Sequence, residues 1–77
     1  MDIAWEDVFS IKVSVDGGSV VISANKEGLL SLASQLTALA EAQPGSHIHY
    51  DESNSLEEVS AEMIIEHFCE KKDFPHF

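Results

Sequence analysis

The sequence predicts an α+β fold of order ββαββ: a four-stranded, mainly antiparallel sheet with one helix packed on one face. Three observations carry that expectation. Residues 8–15 alternate apolar and polar side chains with a period of two, and a glycine-rich turn returns the chain into a second apolar run. A single apolar stripe at helical spacing then follows. Beyond a Pro44-Gly45 stop come two further short strand-like runs, with a polar loop between them.

In the first strand (8–15), Phe9, Ile11, Val13 and Val15 point one way and Ser10, Lys12 and Ser14 the other. Asp16-Gly17-Gly18-Ser19 supplies residues that tolerate the positive φ of a tight hairpin. The second strand (19–24) buries Val20, Ile22 and Ala24. Asn25 is a suitable N-cap for a helix over 26–42, with Glu27 near the positive end of its dipole. Leu29, Leu32, Ala33, Leu36, Leu39 and Ala40 form its inward stripe, while Ser31, Ser34, Gln35 and Glu41 fall on the outer side. Gly28 in the first turn costs about 1 kcal/mol relative to alanine, a cost that close backbone approach would explain. Leu36, at mid-helix, is expected over the centre of the sheet.

The third strand spans 46–51 and the fourth 61–68. Pairing Ile48 with Met63 and Tyr50 with Ala61 sets a register in which His49 faces Glu62, His47 faces Ile64 and Asp51 faces Ser60. Val21, Ile64 and Phe68 add apolar weight to the open faces of strands 2 and 4. That favours strand order 1-2-4-3, with 2-1-3-4 as runner-up. Residues 69–77 form a loose tail with Phe74 and Phe77 as anchors, and residues 1–77 are expected to be a single domain.

The chain has 77 residues, 14 acidic side chains, four lysines and no arginine, for a formal charge of −10. Arginine is the preferred phosphate-binding group, so this balance argues against nucleic-acid and anionic-membrane partners and favours a cationic one. A lone Cys69 allows no internal disulfide. Neither a signal-like N-terminus nor an apolar run of about 20 residues is present, so a reducing cytoplasm is expected.

Residues 44–66 concentrate the chemistry: His47, His49 and the carboxylates of Asp51, Glu52, Glu57, Glu58, Glu62 and Glu66, with no lysine or arginine. His47-x-His49-x-Asp51 lies on one strand face, and Glu62 and Glu66 could complete a mixed N/O metal set. An open sheet face offers such a set no enclosing shell, and solvated histidines beside carboxylates are the simpler account. Acid/base catalysis needs a cleft that one helix on one sheet does not supply, so no enzyme and no cofactor are expected. Docking requires only a rigid strand pair presenting fixed charges, with Tyr50, Ile64 and Phe68 as apolar anchors. Trp5 either closes one end of the core or serves a partner.

Two stretches, NKEGLLSLASQL and PGSHIHYDESNSLEEVSAEMIIE, together resemble a family of small bacterial immunity proteins from polymorphic toxin systems. The resemblance covers about half the chain. It rests on Asn25, Glu27-Gly28-Leu29, Gly45-Ser46-His47-x-His49-x-Asp51, Asn54, Leu56-Glu57, Ser60, and Glu62 with Ile64-Ile65-Glu66. Val59 stands where that pattern carries glycine, a departure that bears on the local turn. The resemblance implies a cytoplasmic protein that binds and neutralises a cognate toxin. The acidic balance points separately to a cationic, nuclease-like target met through His47, His49, Asp51, Glu52, Glu57, Glu58, Glu62 and Glu66. A homodimer is compatible with this reading. Two alternatives stand beside it: a small metal-binding domain using His47, His49 and Asp51, and a small acidic homo-oligomeric interaction module. The family residues also admit a structural account, with Asn25 as cap, Gly28 for packing, and Asp51, Asn54 and Ser60 shaping the loop after the third strand.

Overall fold

A computed structural model describes residues 3–69. Its elements are β1 (Ile11–Asp16), β2 (Ser19–Ala24), α1 (Lys26–Glu41), β3 (His47–Tyr50) and β4 (Met63–Glu66). The class is α+β, but the strands form two separate antiparallel pairs, β1-β2 and β3-β4, rather than one four-stranded sheet. The anchors Phe74 and Phe77 lie outside the described residues.

The break between the two pairs has a local cause. The outer edge of β1 is occupied by the chain that leads into β4. Glu57 donates its N–H to Ile11 O at 2.9 Å, and Ala61 donates to Val13 O at 2.7 Å. Between them the chain arches away, and Val13 N–H turns to Ser60 Oγ at 3.3 Å instead of a backbone carbonyl. A continuous ladder cannot form across that arch. Neither expected strand order survives: among the described residues no strand pairs with the outer edge of β2, and the edge of β1 is met by residues 57–61. Leu56, only 6% exposed, pins this segment into the core.

Within the β1–β2 hairpin, Val13 faces Ile22 and Asp16 faces Ser19. Gly17 and Gly18 take φ of 56° and 87°, which a two-residue turn of this hand requires. In the second pair, His47 faces Glu66, Ile48 faces Ile65, His49 faces Ile64 and Tyr50 faces Met63. That register is displaced by two residues from the expected one. An even shift preserves faces, so Ile48 and Tyr50 are buried while His47 and His49 are exposed.

The helix departs furthest from expectation. Its buried residues are Gly28, Ser31, Leu32, Gln35 and Leu39, so it is rolled roughly a quarter turn from the leucine-centred stripe. Leu36 is 45% exposed and does not sit over the core. The chain before β1 takes up the polar flank. Glu6 N–H donates to Ser31 Oγ at 2.8 Å, and Gln35 Nε2 donates to Ala4 O at 2.8 Å. Gln35 Oε1 also accepts from the Tyr50 hydroxyl at 2.7 Å. Once bonded on both sides, a glutamine can occupy the interior without desolvation loss. Trp5 completes the packing, stacked on Phe9 at 4.4 Å and set edge-on to Tyr50 at 6.2 Å between ring centres. It closes one end of the core.

Gly28 is a packing contact. A Cβ there would meet Ser10 O at 2.5 Å and Ile11 Cγ1 at 2.9 Å, so the helix start lies directly against the hairpin. Asn25 secures the same junction. Its Oδ1 accepts from Gly28 N–H at 2.8 Å and Ser10 N–H at 2.9 Å, while its Nδ2 donates to Val8 O at 2.9 Å. The core proper is Ile11, Val13, Leu32, Leu39, Ile48, Tyr50 and Leu56, edged by Phe9, Ala24, Ala61, Met63 and Ile65. Val20 and Ile22, expected inside, are 64% and 43% exposed; the helix start meets β2 at its far end, where Gly28 lies against Ala24.

Candidate functional site

Strand alternation places His47, His49, Ile64 and Glu66 on the outward face of the β3–β4 pair. His47 stands opposite Glu66, and His49 opposite Ile64. Glu62, just ahead of β4, reaches His49 diagonally: Nε2 and Oε2 are 3.7 Å apart, an ion pair when the imidazole carries its proton. Ile64 lies among these polar groups and is 61% exposed. Ile64 and these polar groups share one solvent-facing strand face. Phe68 adds an exposed aromatic surface, whereas Tyr50 is fully buried and is no docking anchor.

Asp51 and Glu52 serve the loop as much as the surface. Asp51 Oδ1 accepts from Ser53 N–H at 2.9 Å and Asn54 N–H at 3.1 Å. Its carbonyl takes the N–H groups of Asn54, Ser55 and Leu56 at 3.3, 3.0 and 2.8 Å. Asn54 returns the favour to β3: Nδ2 donates to His49 O at 3.1 Å, and Oδ1 accepts from Asp51 N–H at 3.2 Å. Ser55 Oγ also bonds to Asn54 Oδ1. Glu52 Oε2 takes the N–H of Val59 at 2.9 Å. The structural account therefore holds for Asp51 and Asn54, whereas Ser60 bonds across to β1, its Oγ accepting from Val13 N–H; the loop network fixes where the neighbouring charges sit.

The eight candidate residues do not gather into one patch. Asp51, Glu52 and Glu62 border a polar depression with Ser53 and Ser60. His47 and His49 border another with Ile3, Trp5 and Asn54. Glu66 borders an apolar groove with Leu36, Ala40, Ile65 and Phe68. Glu57 and Glu58 border a separate depression, beside Lys12, Ser23 and Asn25. Among the described residues, one imidazole and two carboxylates form a potential metal set: ligand atoms of His49, Asp51 and Glu62 lie within 4.8 Å of one another. His47 and Glu66 are not part of that group. The burial of Leu56 beneath this loop carried no sequence signal beyond its apolar character.

The outward face of the β3–β4 pair thus presents an exposed apolar side chain among imidazole and carboxylate groups. The family model for Immunity protein 32 matches residues 19–67, the whole span from β2 through β4, and the chain belongs to that family. Membership makes it an immunity protein, an inhibitor that binds a cognate toxin. No curated protein and no solved structure matches the chain.

Proposed function

We propose that the outward face of β3–β4 and the loop between these strands form the toxin-binding surface, and that the toxin presents a cationic, nuclease-like face to it. The supporting observation is Ile64, 61% exposed on a strand and ringed by His47, His49, Glu62 and Glu66. Residues 44–66 carry six carboxylates and no lysine or arginine. Carboxylates at that density repel one another, and a cationic partner relieves the repulsion on docking. A groove that receives phosphates is such a partner, and occlusion of it is sufficient for inhibition. The toxin encoded by the neighbouring reading frame tests the reading. It should be retained by the wild-type chain and released by Ile64→Asp, with unchanged circular dichroism. Wild-type retention and protection by Ile64→Asp would place the site elsewhere.

A second reading draws on the group formed by His49, Asp51 and Glu62. Zinc bound there would raise the melting temperature at stoichiometric metal and lose that effect in His49→Ala. We expect no rise, since Asp51 Oδ1 already holds two backbone N–H groups and the imidazole is open to solvent. A one-to-one isotherm dependent on His49 would reverse the ranking.

A further inference from the structure

β2 is the most exposed element of the fold: Ser19 to Ser23 are exposed and only Ala24 is partly covered. Its hydrogen-bonding phase follows from β1. Ile11 and Val13 direct their backbone groups to Glu57, Ser60 and Ala61, away from β2. In an antiparallel pair, directly opposed residues share that phase, so Ala24 and Ile22 bond outward on the far side of β2, and Val20 with them by alternation. Among the described strands, β2 pairs with β1 alone.

Natural sheets protect such an edge with lysine, proline, a bulge or a covering segment. The β2 sequence SVVISA carries no charge and no proline, and its pairing with β1 is unbroken. Val20 and Ile22 are 64% and 43% exposed, Val15 beside them is 66% exposed, and Val21 on the reverse face is 42% exposed.

We propose that β2 pairs edge to edge with β2 of a second copy of this chain, joining the two hairpins into one four-stranded antiparallel sheet. A two-fold axis normal to the sheet sets Val20 of one copy opposite Ile22 of the other and Val21 opposite itself. It also makes the patch of Val15, Val20 and Ile22 continuous across the join. Charge selects this occupant. Residues 8–26 contain Lys12, Lys26 and Asp16, and Glu57 and Glu58 lie beside Lys12 and Ser23, so the surroundings of the hairpin balance to −1 in a chain of −10. Here two copies meet less repulsion than the carboxylate-rich β3–β4 region would impose, and the β2 edge itself carries no charge. The pairing leaves the outward face of β3–β4 open and does not depend on the identity of any toxin.

Sedimentation equilibrium of the full chain, from low micromolar to near-millimolar concentration, tests the proposal. The wild-type mass should rise from 8.4 kDa towards twice that value. Val21→Lys sets like charges face to face at the axis and should weaken association at least about tenfold. Ile22→Pro removes only an outward-facing N–H, a position where an edge strand accepts proline, and should do the same. Circular dichroism checks that each variant folds, and Val21→Lys decides the matter if the proline variant does not. A wild-type monomer throughout, or a dimer with the same dissociation constant in folded variants, overturns the proposal.

Discussion

At Val59 the backbone holds φ of +64° on a side chain branched at Cβ and 82% exposed to solvent. That left-handed conformation costs roughly 1–2 kcal/mol for a residue with a Cβ, and nothing at the exposed side chain offsets it. The Glu52 carboxylate holds the turn through the Val59 N–H. Val59→Gly should therefore raise stability by up to about 1 kcal/mol, after the larger entropy loss of glycine on folding. Val59→Ala, which keeps the Cβ, should not. Urea midpoints check both, and a lower midpoint for the glycine variant would mean the turn is unstrained. Tyr50 makes a second residue-level prediction. Burial pushes its phenol above the usual 10.0, so the folded state favours the neutral form. The linked stability is complete below pH about 10 and is lost as the pH rises through the folded value. Tyr50→Phe should flatten the alkaline fall in urea midpoint. It should also cost about 1–3 kcal/mol at neutral pH, because Gln35 Oε1 loses its donor.

The helix distinguishes two packings of one amphipathic sequence. Its leucines alone predict a stripe centred on Leu36, and the structure rolls that stripe partly into solvent because Ser31 and Gln35 find partners on Glu6, Ala4 and Tyr50. A period of 3.6 identifies the helix but cannot identify the flank that a preceding segment will cover. Leu32→Ala or Leu39→Ala should cost about 2–5 kcal/mol, whereas Leu36→Ala should cost only about 1 kcal/mol. Equal losses at Leu32 and Leu36 would return the helix to its leucine-centred orientation. The strands were easier to read. Alternation alone places His47 and His49 outside and Ile48 and Tyr50 inside, and a register displaced by two leaves those faces intact. The division into two sheets was not legible, because it depends on Ser60 Oγ replacing a carbonyl at Val13 and on Leu56 folding under an otherwise polar loop.

Across the whole molecule, the carboxylates are divided between two regions. Glu62 and Glu66 lie around Ile64 on the β3–β4 face, Glu57 and Glu58 lie beside Lys12 and Ser23, and the β2 edge itself carries no charge and pairs, among the described strands, with β1 alone. The exposed acidic character of the site was readable from composition and alternation. Its division among several depressions was not, because it follows from the path of the loop 52–61. Glu57 and Glu58, adjacent to Glu62 in sequence, lie beside Lys12 instead. Charge at the margin of an interface acts mainly on association rate and its salt dependence. The direct test is the association rate with the cognate toxin as a function of ionic strength, for the wild-type chain and for Glu62→Lys with Glu66→Lys. We predict a slowing of about tenfold or more at low salt and a shallower salt dependence, with the fold unchanged. An association rate and salt slope equal to those of the wild type would contradict docking through the acidic face of β3–β4.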